Sequence, residues 1–285
     1  MTDIVVVGSV NLDLSASVSR LPLPGETVTG ATMARFPGGK GANQALAARR
    51  LGANVTLIAA VGQDAIADEA LAIVRDAGVD LSYCAAHPTL PTGVAMICVA
   101  TSGENHIVVA PGANASLVPE RLPPAAADAL ICQLEVPAST ILAAAAHFSG
   151  MVCINLAPAR DVSDELLAVA DLLIVNQTES DWYGERLALG RGLVATTYGA
   201  AGARLTDHGR LIAETRAPVV EVVDTTGAGD AFTAALTVAL VEGMSPQRAL
   251  EFACAAGSIA ATGRGAQPSM PDRATLEKFL TATAA

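Results

Sequence analysis

The chain has 285 residues, 52% of them hydrophobic but only 3% aromatic, so Ala, Val and Leu must fill its core. A formal charge of −11 argues against nucleic acid as a general partner, because such a surface repels a phosphate backbone. No stretch reaches the ~20 apolar residues of a bilayer span, and MTDIVVVGS lacks the basic region of a signal peptide, so no membrane partner is expected.

The five cysteines (Cys84, Cys98, Cys132, Cys153, Cys254) are scattered and form no CxxC pair, which suits free thiols in a cytoplasmic protein. The four histidines (His87, His106, His147, His208) show no metalloprotease or zinc-finger spacing.

Residues 3–8 (DIVVVG) predict a buried strand, a short β-branched run ended by Gly8. Residues 40–51 predict a helix stopped by Gly52. A strand follows at 55–62, then a helix at about 64–77 that stops at Gly78. The alternation continues with strands at 129–135, 151–157 and 171–176, separated by helices at about 137–147 and 163–169. The last third is richer in helix, at about 228–242, 246–262 and 272–283. This rhythm predicts an α/β fold with a central, mainly parallel sheet flanked by helices. Two segments break it. Residues 12–33 alternate around the turn LPLPGE, and residues 93–110 read as a hairpin turning at Thr101–Asn105. No linker divides the chain, so 1–285 is read as one domain, with segments of about 12–35 and 91–110 inserted as a small β-sheet lid.

The sharpest signal is Asp224-Thr225-Thr226-Gly227-Ala228-Gly229-Asp230, placed between an expected strand (APVVEVV) and an apolar helix. A glycine turn opening a helix offers backbone N–H groups at a positive end, an anion hole made by Gly227, Ala228 and Gly229. Asp230, one residue further on, can reach both a substrate hydroxyl and a phosphate, which fits a general base in phosphoryl transfer. A second glycine loop, FPGGKGANQ at 36–44, has neither P-loop nor GxGxxG spacing, but can present N–H groups and Asn43 to a polyol. Asn11 and Asp13 follow the first strand and share a face if extended, as sugar ligands or as a plain turn. Glu135, Asn155, Asn176, Glu179, Gly199 and Gly202 also fall at strand ends, the edge where such sheets bind ligands.

These motifs, with QLE, NLAP, NQTE and GAQPSMP in the same order, resemble the ribokinase-like (PfkB) carbohydrate kinases over nearly the whole chain. The resemblance implies a ribokinase-like fold and ATP-dependent phosphorylation of the primary hydroxyl of a sugar. GGKGANQ and GAQPSMP favour D-ribose, giving D-ribose 5-phosphate. Carried over by position, it implies a sugar site of Asn11, Asp13, Gly39, Lys40, Asn43 and Glu135, with Asp230 as base. It implies a nucleotide site using Asn176, Thr197, Gly199 and Gly202, and Glu179 positioning Mg²⁺ through water. It also implies a K⁺ site at Asp224, Thr226, Ala260, Gly263, Gly265 and Ser269.

Two departures stand out. The chain is short between Asn176 and Thr197, where SDWYGERLALGRG must make the connection alone, and Cys254 takes a place near the adenine where a polar residue is usual in the family. Other readings are a family kinase for fructose, deoxyribose or a nucleoside such as adenosine, a sugar- or nucleotide-binding protein without turnover, and a dehydrogenase. The first turns on residues under the lid, with Ala95, Met96, Ile97, His106 and Ile107 as discriminators. An intact Asp230 and glycine turn argue against a non-catalytic protein, and the lack of GxGxxG against a dehydrogenase. The outer face of the lid needs cover, so a homodimer is expected through Val28, Val94, Met96 and Cys98.

Overall fold

The computed structural model describes residues 1–102, 104–119, 122, 127–146 and 148–283. Gly103 of the expected lid turn and His147 at the end of an expected helix lie outside the described residues.

Strands β1 (Asp3–Val7), β4 (Asn54–Gly62), β5 (Cys84–His87), β8 (Ala129–Gln133), β9 (Met151–Asn155), β10 (Leu172–Asn176) and β11 (Leu193–Thr197) run parallel. Strands β12 (Ala203–Asp207) and β13 (Arg210–Thr215) add an antiparallel edge. The sheet order is β13-β12-β11-β10-β9-β8-β1-β4-β5. A separate four-stranded sheet, β3-β2-β6-β7, comprises β2 (Asn11–Val18), β3 (Thr32–Gly38), β6 (Gly93–Ala100) and β7 (Asn105–Ala110).

The period of two in the strands divides the core. In β1, Ile4 and Val6 join one apolar cluster, while Val5 and Val7 join the other. Helices α1 (Lys40–Arg50), α2 (Ala65–Asp76), α6 (Ala228–Val241), α7 (Pro246–Ala260) and α8 (Arg273–Thr283) serve the first cluster. Helices α3 (Ala138–Ala146), α4 (Asp164–Ala168) and α5 (Gln177–Tyr183) cover the second face. Helix α6 is buried along Asp230–Ala239 and touches both α1 and α7, which its Ala-rich sequence permits. Close packing also brings the start of α1 onto the end of β1: a Cβ on Gly41 would lie 2.5 Å from the backbone carbon of Gly8.

Three details differ from the sequence reading. APVVEVV (217–223) is not a strand; the segment is irregular, Val219 is fully exposed, and Val222 and Val223 are largely exposed. The β12–β13 hairpin turns through His208 and Gly209, both at positive φ, a tight two-residue turn that the sequence reading missed. Strand β5 is a short edge strand without an alternating apolar pattern. The shortened connection after β10 contains α5 and a 3-10 turn, Gly184–Leu189. Among the described residues no helix is long and apolar enough to cross a membrane.

Candidate active site

The C-terminal ends of β8, β9, β10 and β11 face the small sheet across a cleft of about 350 Å³. The cleft is floored by the starts of α1 and α6. Each helix begins at a glycine with positive φ: Gly39 at +87° for α1 and Gly227 at +81° for α6. Neither tolerates a side chain. A Cβ on Gly39 would lie 2.6 Å from the Asn11 nitrogen, and one on Gly227 would lie 2.6 Å from Ala266 Cβ.

Asn11, Asp13, Gly39, Lys40, Asn43, Glu135 and Asp230 all line this cleft, so the structure gathers the entire expected sugar set. Asn11 and Asp13 do share one face of β2. Glu135 Oε2 accepts from Ser9 Oγ at 2.5 Å, from the Lys40 backbone N–H at 3.2 Å and from Asn11 Nδ2 at 3.5 Å. Asn114, absent from the sequence reading, locks this corner. Its Nδ2 donates to Asn11 Oδ1 at 2.8 Å, and its Oδ1 accepts from the Val10 N–H at 2.9 Å.

Asp230 is buried in the first turn of α6. Its Oδ2 accepts from Asn43 Nδ2 at 2.8 Å and its Oδ1 from Gln44 Nε2 at 2.9 Å. Burial holds its carboxyl above the ordinary range, against the pull of Lys40, Asn43 and Gln44. Asp13 is pushed up to about 7 by burial, then by the carboxylates of Glu135, Asp230 and Asp224. Burial pulls the Lys40 ammonium down, but Asp230, Glu135, Glu179 and Asp13 outweigh it, so Lys40 stays charged and balances them.

A second groove of about 310 Å³ adjoins the cleft through Thr197, Thr225 and Gly229. Gly199, Gly202 and Ala228 line it, with Val219, Val222, Phe232 and Gly257. Cys254 also faces it, as a thiol pushed up to about 12 by burial. Asn176 pairs in register with Thr197 and caps α5: its Oδ1 accepts from the Glu179 N–H at 2.8 Å, and Glu179 Oε2 accepts from the Asn176 N–H at 2.8 Å. Glu179 is buried, and burial raises its carboxyl.

The turn before α6 is pinned by Asp224. Its Oδ1 accepts from Thr226 N and Oγ1 at 2.9 and 2.6 Å, and its Oδ2 from the Gly265 N–H at 2.9 Å. Those bonds hold its carboxyl low despite burial. Ser269 sits against Gly263, where a Cβ would meet Ser269 Oγ at 2.3 Å. Asp224, Thr226 and Gly265 are thus in direct contact, and Gly263 and Ser269 pair beside them. The carbonyl that ties this segment to α7 is that of Ala261, next to the expected Ala260. In the turn expected to form an anion hole, the Ala228 N–H is turned to Thr225 O at 3.2 Å, whereas Gly227 and Gly229 line the cleft.

Of the expected discriminators, Ala95, Ile97 and Ile107 line the cleft together with Val109, but Met96 and His106 do not. The alternation of β6 and β7 explains this: Met96 pairs with Val108 and Cys98 with His106 on the other face. Gln44 and Gln133, both fully buried polar residues, stand in the FPGGKGANQ and QLE motifs, but no role was read for them because their partners are remote in sequence.

A family model described as pfkB family carbohydrate kinase matches residues 1–273. The ribokinase of Haemophilus influenzae is 38% identical over 300 residues, covering 96% of this chain and 97% of the relative. Among solved structures, the ribokinase of Thermotoga maritima superposes with a TM-score of 0.87 at 34% identity, covering 99% of this chain and 100% of that one. The Arabidopsis thaliana ribokinase complexed with ribose and ATP gives a TM-score of 0.86 at 32% identity, covering 98% of each chain.

Proposed function

Because the chain belongs to the pfkB family of carbohydrate kinases, we propose that it transfers the γ-phosphoryl group of ATP to the primary hydroxyl of D-ribose, giving D-ribose 5-phosphate and ADP. The observation that carries this is Asp230: a buried carboxylate, held at both oxygens, between a polar cleft and the glycine turn of α6. Ribose rests on the similarity to ribokinases and on a cleft that has no aromatic side chain among its described lining residues, which offers a nucleoside base nothing to stack on.

The sugar lies against Asn11, Asp13, Gly39, Asn43 and Glu135, with Lys40 balancing the carboxylates. Asp230 takes the proton of the hydroxyl as its oxygen bonds to the γ-phosphorus. The bond from that phosphorus to the bridging oxygen breaks, and ADP leaves with the electron pair. In a loose transition state proton removal is late, so a carboxylate suffices as base. Gly227 and Gly229, more than Ala228, present N–H groups to the transferred phosphoryl at the positive end of α6. ATP reaches this point from the second groove, along Gly199 and Gly202, past the shared Thr197 to Asn176 in the cleft.

The residues present suit two cations, since the donors are all hard oxygens. Glu179 would hold Mg²⁺ through water, and Asp224, Thr226 and Ser269 with the carbonyls near Ala260, Gly263 and Gly265 would hold K⁺. Bound there, these ions would add positive charge beside the phosphates and stiffen the turn.

The whole chain acts as one kinase unit, with the four-stranded sheet as a lid that excludes water from the cleft. The outer face of that sheet exposes Met33, Met96 and Val108, which supports a homodimer through the lid; a strictly monomeric species in sedimentation at micromolar concentration would contradict it. Five unpaired thiols suit a cytoplasmic setting.

The test is ADP release with MgATP and D-ribose, 2-deoxyribose, fructose or adenosine, each with and without K⁺. The proposal expects ribose-dependent turnover that K⁺ increases. Turnover on another sugar alone would overturn the assignment of ribose, and indifference to K⁺ the cation site.

A further inference from the structure

An ionised carboxylate only accepts hydrogen bonds, so whatever aims Asp230 must turn N–H groups toward it. Gln44 does so from α1, through Nε2 at 2.9 Å, and the same nitrogen lies 3.3 Å from Asn155 Oδ1. That orientation turns Gln44 Oε1 the other way, where Gln133 Nε2 donates to it at 2.7 Å. Gln44 and Gln133 are both fully buried, so water cannot replace either partner. Gln133 is held by packing rather than by a second hydrogen bond: its Oε1 is buried without a partner and lies against the end of β1, where a Cβ on Gly8 would sit 2.0 Å from it. An amide can flip, and a flipped Gln44 would set its oxygen against the carboxylate. The donation from Gln133 makes one orientation the favoured one.

We propose that Gln133 and Gln44 form a positioning chain for Asp230, in which Gln133 fixes the amide of Gln44 and Gln44 aims the carboxylate at the sugar hydroxyl. This rests on Asp230 being the base. Neither amide lines the cleft, so neither touches the sugar. Both act through Asp230, whose two remaining lone-pair positions stay open to the substrate. The chain also favours ionised Asp230, against burial and the carboxylates of Glu135 and Asp13, and together with Lys40 and Asn43. Glu179 and Asp224 are the other charged groups of the site.

The experiment compares Gln44→Met, Gln133→Met, the double variant and Asp230→Asn for kcat and ribose KM across pH, and for Tm. Gln44→Met is expected to lower kcat about 10- to 100-fold, the cost of a misplaced catalytic group, with ribose KM changed less than about threefold. The acid limb of its kcat profile should move up by about one pH unit, the size of one lost hydrogen bond to a charge. Gln133→Met should move both readouts the same way, less far. The double variant removes the stranded Gln133 Nε2 of Gln44→Met, while Asp230 Oδ1 and Asn155 Oδ1 still lack the Gln44 donor, so it should regain part of the Tm lost in Gln44→Met while kcat stays as low as in Gln44→Met. If Gln44→Met does not fold, the double variant gives the same kcat and pH reading. A double variant whose kcat recovers with its Tm would reduce the chain to a structural role and overturn the proposal. So would normal kcat and an unmoved acid limb in Gln44→Met when Asp230→Asn is dead. Normal turnover by Asp230→Asn would instead overturn the base assignment, and the chain with it.

Discussion

The end of the cleft around Asp13, Glu135 and Asp230 is dense with charge and amides, whereas the groove beside it is walled by Val219, Val222, Phe232, Cys254 and Gly257. At the first end, side chains far apart in sequence fix each other: Asn43 and Asp230 are 187 positions apart, and Ser9 and Glu135 are 126 apart. At the second, the walls are apolar and part of them is the irregular 217–223 segment, with Val219 fully exposed. The first end is preorganised, its polar groups already aimed before a ligand arrives. The second offers shape and backbone groups, and few side chains that could read a base. The account therefore expects steep effects from substitutions at the sugar end and shallow ones at the nucleotide groove.

The largest contrast should come from Glu135→Gln. It removes the charge that organises Ser9, Asn11 and the Lys40 N–H, interactions of ~1.5–3 kcal/mol each. Ribose KM should rise about 10- to 100-fold while ATP KM holds, measured by steady-state kinetics. A matching rise in ATP KM would erase the distinction between the two ends.

Gly227→Ala should come next. The backbone there is left-handed and a Cβ meets Ala266, so a destabilisation of about 1–3 kcal/mol is expected, read by calorimetry. An unchanged Tm would show that the turn tolerates a side chain.

Asp13 gives a smaller effect, in pH. Its folded carboxyl is raised from 3.8 to about 7, so the folded state binds a proton that the unfolded chain releases. The stability this confers is fully present below about pH 4 and is lost as pH rises through about 7. Ligand-free Asp13→Asn should therefore lose stability less steeply over that range; Asp230 and Glu179, also raised, keep some slope. An unaltered slope in denaturant titrations would remove Asp13 as a source. Smallest is Cys254→Ser, where a neutral thiol becomes a hydroxyl on an apolar wall: ATP KM should change less than about threefold.

The same contrast explains what could be read from sequence. The glycine turns were legible because Gly39 and Gly227 need positive φ at helix starts, a local demand that leaves a local mark. The parallel strands were legible because burial on both faces leaves β-branched runs such as IVVV. APVVEVV is also rich in valine but carries Pro218 and Glu221 and has no partner strand among the described residues; Val219, Val220 and Val222 wall the groove instead. The DHGR turn of the β12–β13 hairpin was a readable signal that went unused. Asn114 was not readable, and Gln44 and Gln133 were visible only as letters of their motifs, since a buried amide gains a role only from partners that the fold supplies.

The central claim is that Asp230 takes the proton of the sugar hydroxyl, and Asp230→Asn tests it most directly. The measurement is the rate of ribose 5-phosphate formation at saturating ATP and ribose, alongside Tm. The account predicts a folded protein whose kcat falls about 100- to 10,000-fold, the range of a lost general base. A folded Asp230→Asn variant with kcat near that of the parent protein would contradict it.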